Sequence, residues 1–174
     1  MIVVAVVGSK KSGKTKTVEA LVRGLTKRGY RVATAKHVSE QNFAIDTKGK
    51  DTWLHAQAGA KTVALVAPEE LTTIRKVDTR SLALQEIVQT CGNGIDVVVL
   101  EGFRSLVERE PTVLKIVAVK NLQEATDASK QFDPIIAFTG PITPSTKLGI
   151  PIVNVLTEPR KIVAIVEKHL SNFK

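Results

Sequence analysis

Short continuous apolar runs that alternate with helix-periodic stretches predict an α/β fold, a mostly parallel sheet with helices on both faces. Three observations carry this. Residues 2–7 are an unbroken apolar run, the pattern of a strand buried on both faces. Similar runs return at 96–100, 114–119, 135–138 and 152–155, with amphipathic segments between them. The third observation narrows the class. Gly8-Ser9-Lys10-Lys11-Ser12-Gly13-Lys14-Thr15 follows the first run and fits G-x-x-x-x-G-K-[ST], with the strand before it and the helix after it that this motif needs. The expected architecture is therefore a three-layer P-loop NTPase fold, with residues 1–174 forming a single nucleotide-binding domain.

The elements follow in order. After the loop, Val18, Leu21, Val22 and Leu25 recur at helical spacing, and Gly29 is placed to stop that helix. Residues 31–36 read as a strand and 37–50 as a loop or extended ribbon. Asp51 is placed to cap a short helix that Gly59 ends. Residues 62–67 form a strand stopped by Pro68, and 71–77 a further strand at an edge. Leu84, Ile87, Val88 and Cys91 mark a helix closed by Gly92. Asn121 with Glu124 has the spacing of a capping box. Ile162, Ile165, Val166 and Leu170 line the last helix, with Thr157 as its expected cap.

Composition limits the function classes. At 43% hydrophobic residues the chain is not a disordered one, and no apolar run has the length to span a bilayer. The start lacks the basic segment of a secretion signal, and Cys91 is the only cysteine, so the expected setting is the cytoplasm. The formal net charge is +8, but the basic residues are dispersed and aromatics are only 4%, so nucleic-acid binding is not expected. A polyanionic small ligand or an acidic partner protein accounts for the charge equally well.

The glycine loop suits a polyphosphate. Gly8 and Gly13 let backbone N–H groups turn inward, and the helix start adds its positive dipole end. Lys14 is expected on the β- and γ-phosphates, Thr15 on Mg²⁺, and Ser12 on a phosphate oxygen. Lys10 and Lys11 raise the local potential or form a solvated basic loop. Asp96 and Glu101 both flank one apolar strand. Ligands of such sheets lie beyond the carboxyl ends of the strands, which favours Glu101 for the metal and leaves Asp96 as a surface residue. Lys36 and His37 also end a strand on that side, and His37 reads otherwise as a turn histidine. Asp46 and Asp51 supply carboxylates that suit Mg²⁺, and Lys50 a charge for phosphate, although Asp51 also suits a helix cap. Trp53 fits core or interface packing better than a base contact. His55 and His169 receive no ligand role.

These clusters together resemble one family, molybdopterin-guanine dinucleotide biosynthesis protein B (MobB). The likeness rests on the glycine loop, Lys36-His37, Asp46 with Gly49-Lys50-Asp51-Thr52, Ala58-Gly59-Ala60, and Glu101-Gly102-Phe103, in order over the first two thirds of the chain. It implies a homodimeric accessory protein that binds GTP and Mg²⁺. Such a protein assists a molybdopterin-guanine dinucleotide nucleotidyltransferase acting on a molybdopterin-type cofactor, with weak or no GTPase activity of its own. The implied nucleotide contacts are Gly8, Lys11, Ser12, Gly13, Lys14, Thr15, Lys36, His37 and Lys50, and the implied metal contacts Thr15, Asp46 and Glu101. Two positions depart from the usual pattern: Lys16 stands where a second threonine is common, followed by Thr17, and Arg104 where a lysine is common. No Asn-Lys-x-Asp signature selects guanine; Asn154 and the Pro-rich stretch 139–149 are candidates to border the base or are structural.

The competing reading is a P-loop small-molecule kinase using ATP or GTP, with Arg104 or Arg109 neutralising developing charge. A metallochaperone GTPase is a third, disfavoured by one cysteine and three histidines.

Overall fold

A computed structural model of the chain describes residues 1–142 and 148–171. The chain divides into two compact units, Met1–His37 with Ala83–Lys174, and Val38–Leu82.

The larger unit is built on six parallel strands in the order β2-β5-β1-β6-β7-β8. These are β1 (Ile2–Gly8), β2 (Val32–Lys36), β5 (Val97–Glu101), β6 (Val113–Ala118), β7 (Ile135–Thr139) and β8 (Ile152–Val153). Alternate residues of β1 serve opposite faces. Val4 and Val6 meet α1 (Lys14–Thr26) and α6 (Pro159–Ser171) through Leu21, Leu25, Ile162 and Val166. Ala5 and Val7 share the other core with Val88 of α3 (Leu84–Gln89), Val107 of α4 (Arg104–Val107) and Ala125 of α5 (Leu122–Gln131). This gives the three layers that the apolar runs predict, because a strand with helices over both faces has no polar side to show.

Several local expectations need adjusting. Helix α5 starts as foreseen at Asn121, whose Oδ1 accepts from Glu124 N at 2.9 Å. The reciprocal bond goes elsewhere: Glu124 Oε2 accepts from Lys120 N at 3.0 Å. Thr157 does not cap α6; its hydroxyl donates to Asn154 O at 3.3 Å, and the helix begins at Pro159, a favoured first position. Asn154 closes the same turn, accepting from Leu156 N at 3.1 Å, which is a structural role. Of the Pro-rich stretch 139–149, residues 143–147 lie outside the described residues.

The smaller unit holds α2 (Asp51–Gln57), the antiparallel pair β3 (Thr62–Val66) and β4 (Leu71–Arg75), and a 3₁₀ turn at Thr79–Ser81. These two strands form a sheet of their own. Asp51 lies in the first turn of α2 and accepts from Thr52 N at 2.9 Å, with Lys50 at the cap position. Trp53 is half-buried and His55 exposed.

Candidate nucleotide site

The loop between β1 and α1 is shaped by positions where a side chain does not fit. A Cβ on Gly8 would lie 2.2 Å from Ala118 O of the neighbouring strand and 2.7 Å from Ser12 Oγ, and φ there is +148°. Gly13 takes φ +97° at the cap of α1, and Lys11 also adopts a positive φ of 61°. The turn therefore departs from right-handed geometry at residues 11 and 13, as a loop must when its N–H groups are to line a concavity. Residues 10–16 and Glu101 line an open concavity of about 420 Å³.

Two buried polar groups, one on this loop and one at the start of α1, differ in their satisfaction. Thr17, fully buried, donates to Gly13 O at 3.2 Å and shares a 3.0 Å hydrogen bond with Thr139, fastening the first turn of α1 to the end of β7. The second hydroxyl of the pattern is thus structural here. Ser12 Oγ is buried with no partner among the described residues. An orphan hydroxyl costs free energy unless a ligand or water meets it, which fits a loop made to receive oxygen acceptors.

Lys14 folds back over the loop, and its Nζ donates to Ser9 O at 2.7 Å and Gly8 O at 3.1 Å. Burial pushes its ammonium below the usual lysine range; the Glu101 carboxylate acts in the opposite sense, while Lys120 and Lys36 add to the lowering. Lys14 thus feels two further cations against one carboxylate, and a polyanion would relieve that repulsion. Lys120 and Glu124 escaped the sequence reading as site residues. Glu124 Oε1 lies 3.5 Å from Ser9 Oγ, so the α5 cap also touches the loop; the cap spacing was the only signal.

Glu101 ends β5 and is paired in register with Lys36 of β2 and Val6 of β1, so all three stand at the carboxyl edge of the sheet. Its Oε1 accepts from Thr15 Oγ1 at 3.1 Å and lies 3.3 Å from Lys36 Nζ. Its side chain is 12% exposed. Asp96 sits just before the opposite end of β5 and accepts from Arg31 through N, Nε and Nη2 at 2.8, 3.1 and 3.0 Å. His37 N donates to Glu101 O at 3.0 Å, and its ring tilts against Phe103 with centroids 5.5 Å apart. Phe103, buried and at φ +56°, turns the chain sharply after Gly102 and anchors that ring contact. Arg104 lies over the Phe132 ring at 5.1 Å and donates to Gln131.

Thr15 and Glu101 form a pair of hard oxygen donors of the kind Mg²⁺ takes, and such an ion completes its shell with water and ligand phosphates. Among the described residues no cluster of three or more His, Cys, Asp or Glu side chains stands ready to hold a metal by itself. On the smaller unit, Asp46 Oδ1 accepts from Thr47 N at 2.9 Å and Thr52 Oγ1 at 2.8 Å, while Oδ2 is buried without a partner among the described residues. That orphan carboxylate oxygen also suits a cation. Lys50 is exposed.

A parallel sheet with this glycine loop at the carboxyl end of β1 defines an α/β protein of the P-loop type. The family model described as molybdopterin guanine dinucleotide synthesis protein B (MobB) matches residues 3–139, and the chain belongs to that family. It is 33% identical over 122 residues to a putative molybdopterin-guanine dinucleotide biosynthesis adapter protein of Methanocaldococcus jannaschii, a match covering 70% of this chain and 48% of that protein. To the molybdopterin-guanine dinucleotide biosynthesis adapter protein of Haemophilus influenzae it is 34% identical over 100 residues, covering 57% and 55%. The chain thus matches about half the length of these relatives. A crystal structure of molybdopterin-guanine biosynthesis protein B superposes with a TM-score of 0.73 at 23% identity, covering 98% of this chain and 99% of that one, which shows a shared fold.

Proposed function

We propose that this chain binds GTP with Mg²⁺ on the 8–15 loop and serves as an adapter in molybdopterin guanine dinucleotide biosynthesis. In this role it assists a partner nucleotidyltransferase and has weak or no GTPase activity of its own. The observation that carries the reading is the orphan Ser12 hydroxyl in a glycine-shaped loop, beside a lysine whose charge burial disfavours. Gly8, Lys11, Ser12, Gly13 and Lys14 would hold the phosphates. Thr15 and Glu101 would hold the metal, which when bound neutralises phosphate charge. Lys36 and His37, at the rim, would approach the phosphates, and Lys50 would add charge. For Asp46 and Lys50, on the smaller unit, support comes from the family pattern and the orphan Oδ2, and the test is substitution.

Guanine preference and the adapter role draw on family membership. A homodimer is supported by apolar surface on the β3–β4 pair, where Val66 is 82% and its register partner Leu71 71% exposed. No described helix is long and apolar enough to cross a membrane, and a cytoplasmic setting is part of the proposal.

The experiment is calorimetry with GTP and ATP, with and without Mg²⁺, followed by a transferase assay with molybdopterin cofactor. The expected result is tighter binding of GTP, slow turnover by the isolated chain, and faster cofactor maturation when the chain and GTP are added. Rapid phosphorylation of a small metabolite would instead establish the kinase reading. Light scattering tests the dimer, with a mass near twice that of the chain expected.

A further inference from the structure

A second concavity, also of about 420 Å³, runs along the outer side of α1 where it meets α6. The site already described does not use it, although Lys16, one residue beyond Thr15, opens it. Its floor is apolar: Ala20 of α1, Val155 and Leu156 of the turn after β8, and Pro159 and Val163 of α6. Leu156 is 72% exposed, an apolar side chain held in solvent at the groove. Gly24 closes the floor, because a Cβ there would lie 2.3 Å from Val163 Cγ2, so the two helices meet without room for a side chain between them.

The walls are strongly basic. Lys16, Arg23, Lys27, Arg28 and Arg160 line the groove against one acid, Glu19. Lys16 is spent on Glu19 at 3.0 Å and Arg28 on Glu167. Arg23, Lys27 and Arg160 have no ion-pair partner among the described residues. These three cations alone equal more than a third of the formal net charge of the chain. Charge of one sign gathered over an apolar floor steers and orients a partner of the opposite sign.

Length decides what kind of partner. From Lys16 to Lys27, the C-cap of α1, the cations are 11 helical steps apart, about 16 Å at 1.5 Å per residue. A single phosphate or carboxylate would engage one end of that row and leave the apolar floor wet. A helix with Leu or Phe on one face and acids on the flank, repeating at i, i+3, i+4 and i+7, engages both. We propose that the α1–α6 groove is the docking surface for an acidic amphipathic helix of a partner protein. This rests on the reading that the chain acts through a partner, and it names where that partner is held. The groove begins one residue past Thr15 on the same helix, so the docked segment and the nucleotide would share one rigid element.

The test uses the full ¹⁵N-labelled chain and a synthetic helix of about 18 residues with Leu on one face and Glu on its flanks. A scrambled peptide of the same composition, a short DNA duplex and inorganic pyrophosphate are the control probes. Amide shifts are expected along residues 16–28 and 155–163, with the ordered peptide binding more tightly than the scrambled one. The double variant Arg23→Glu/Lys27→Glu should lose at least tenfold in peptide affinity while GTP affinity stays unchanged and the chain remains folded by circular dichroism, with a modest fall in melting temperature from acids at the C-terminal end of α1. Shifts clustered elsewhere, equal binding of the scrambled peptide, stronger binding of the duplex or pyrophosphate at these residues, or an unaffected variant would each overturn the proposal. A parallel titration with the nucleotidyltransferase separates the two claims. If the peptide maps to the groove but the transferase binds neither wild type nor variant, the groove stands and the transferase reading falls. If the transferase binds both equally, its docking lies elsewhere and the proposal fails for that partner.

Discussion

At the residue scale, the charges around the loop set the first expectations. Lys14 spends its ammonium on two carbonyls of its own loop, a holding position that a bound polyphosphate would replace with stronger acceptors. Lys14→Ala is expected to weaken GTP binding by about 1.5–3 kcal/mol, the range for hydrogen bonds to charged groups, measured by calorimetry. Glu101 and Asp96 offer a sharper contrast, since they lie at opposite ends of one strand. Glu101→Gln should reduce Mg²⁺-dependent binding more than metal-free binding. Asp96→Asn should leave both unchanged, because its carboxylate is occupied with Arg31. Equal sensitivity of the two positions in titrations with and without Mg²⁺ would overturn the metal role of Glu101.

At the scale of elements, legibility followed the physics of burial. Strands β1 and β5 were plain in the sequence because burial on both faces leaves hardly a polar position to blur the pattern, and β6 was legible although a lysine stands at its third position. Strands β3 and β4 were equally visible as strands, but their separate antiparallel sheet was not, since alternation says nothing about which edge a strand joins. Helix α4 escaped notice: four residues give no period, and its start depends on Phe103 in a left-handed conformation that composition does not announce. In the site, Gly8, Ser12 and Glu101 were legible from motif and strand polarity. Lys120 and Glu124 were not, because their place beside Lys14 and Ser9 comes from the packing of α5 against the loop. The Asn121 cap is a testable part of that packing. Asn121→Ala should cost about 0.5–2 kcal/mol in urea unfolding, the usual loss for a helix cap.

For the molecule as a whole, one interior group stands apart from the site. Lys115 of β6 is fully buried, and its Nζ donates to Asp133 O at 2.5 Å and to Glu110 O, joining the segments before β6 and β7. Burial pushes its ammonium below the usual lysine range, with the Asp133 and Glu110 carboxylates opposing. A lysine whose folded pKa lies below its unfolded one binds fewer protons folded than unfolded in the interval between the two. Stability therefore rises with pH through the interval just under 10.5, and below it the cost of burying the charge is present in full. Unfolding of wild type and Lys115→Met, compared from pH 8 to 10.5, should show the wild type gaining relative to the variant as pH rises. A constant difference would mean that the burial effect is absent.

The 3.3 Å approach of Lys36 to the same Glu101 oxygen that Thr15 contacts has a further consequence. That ammonium acts as an internal competitor, standing where a divalent ion would draw its negative charge. Loading the metal would then be an exchange of one cation for another, with Lys36 released toward the ligand phosphates as the ion arrives. Lys36→Met should accordingly raise Mg²⁺ affinity in the absence of nucleotide and lower it for the nucleotide complex, two opposite shifts that a pair of Mg²⁺ titrations would read directly.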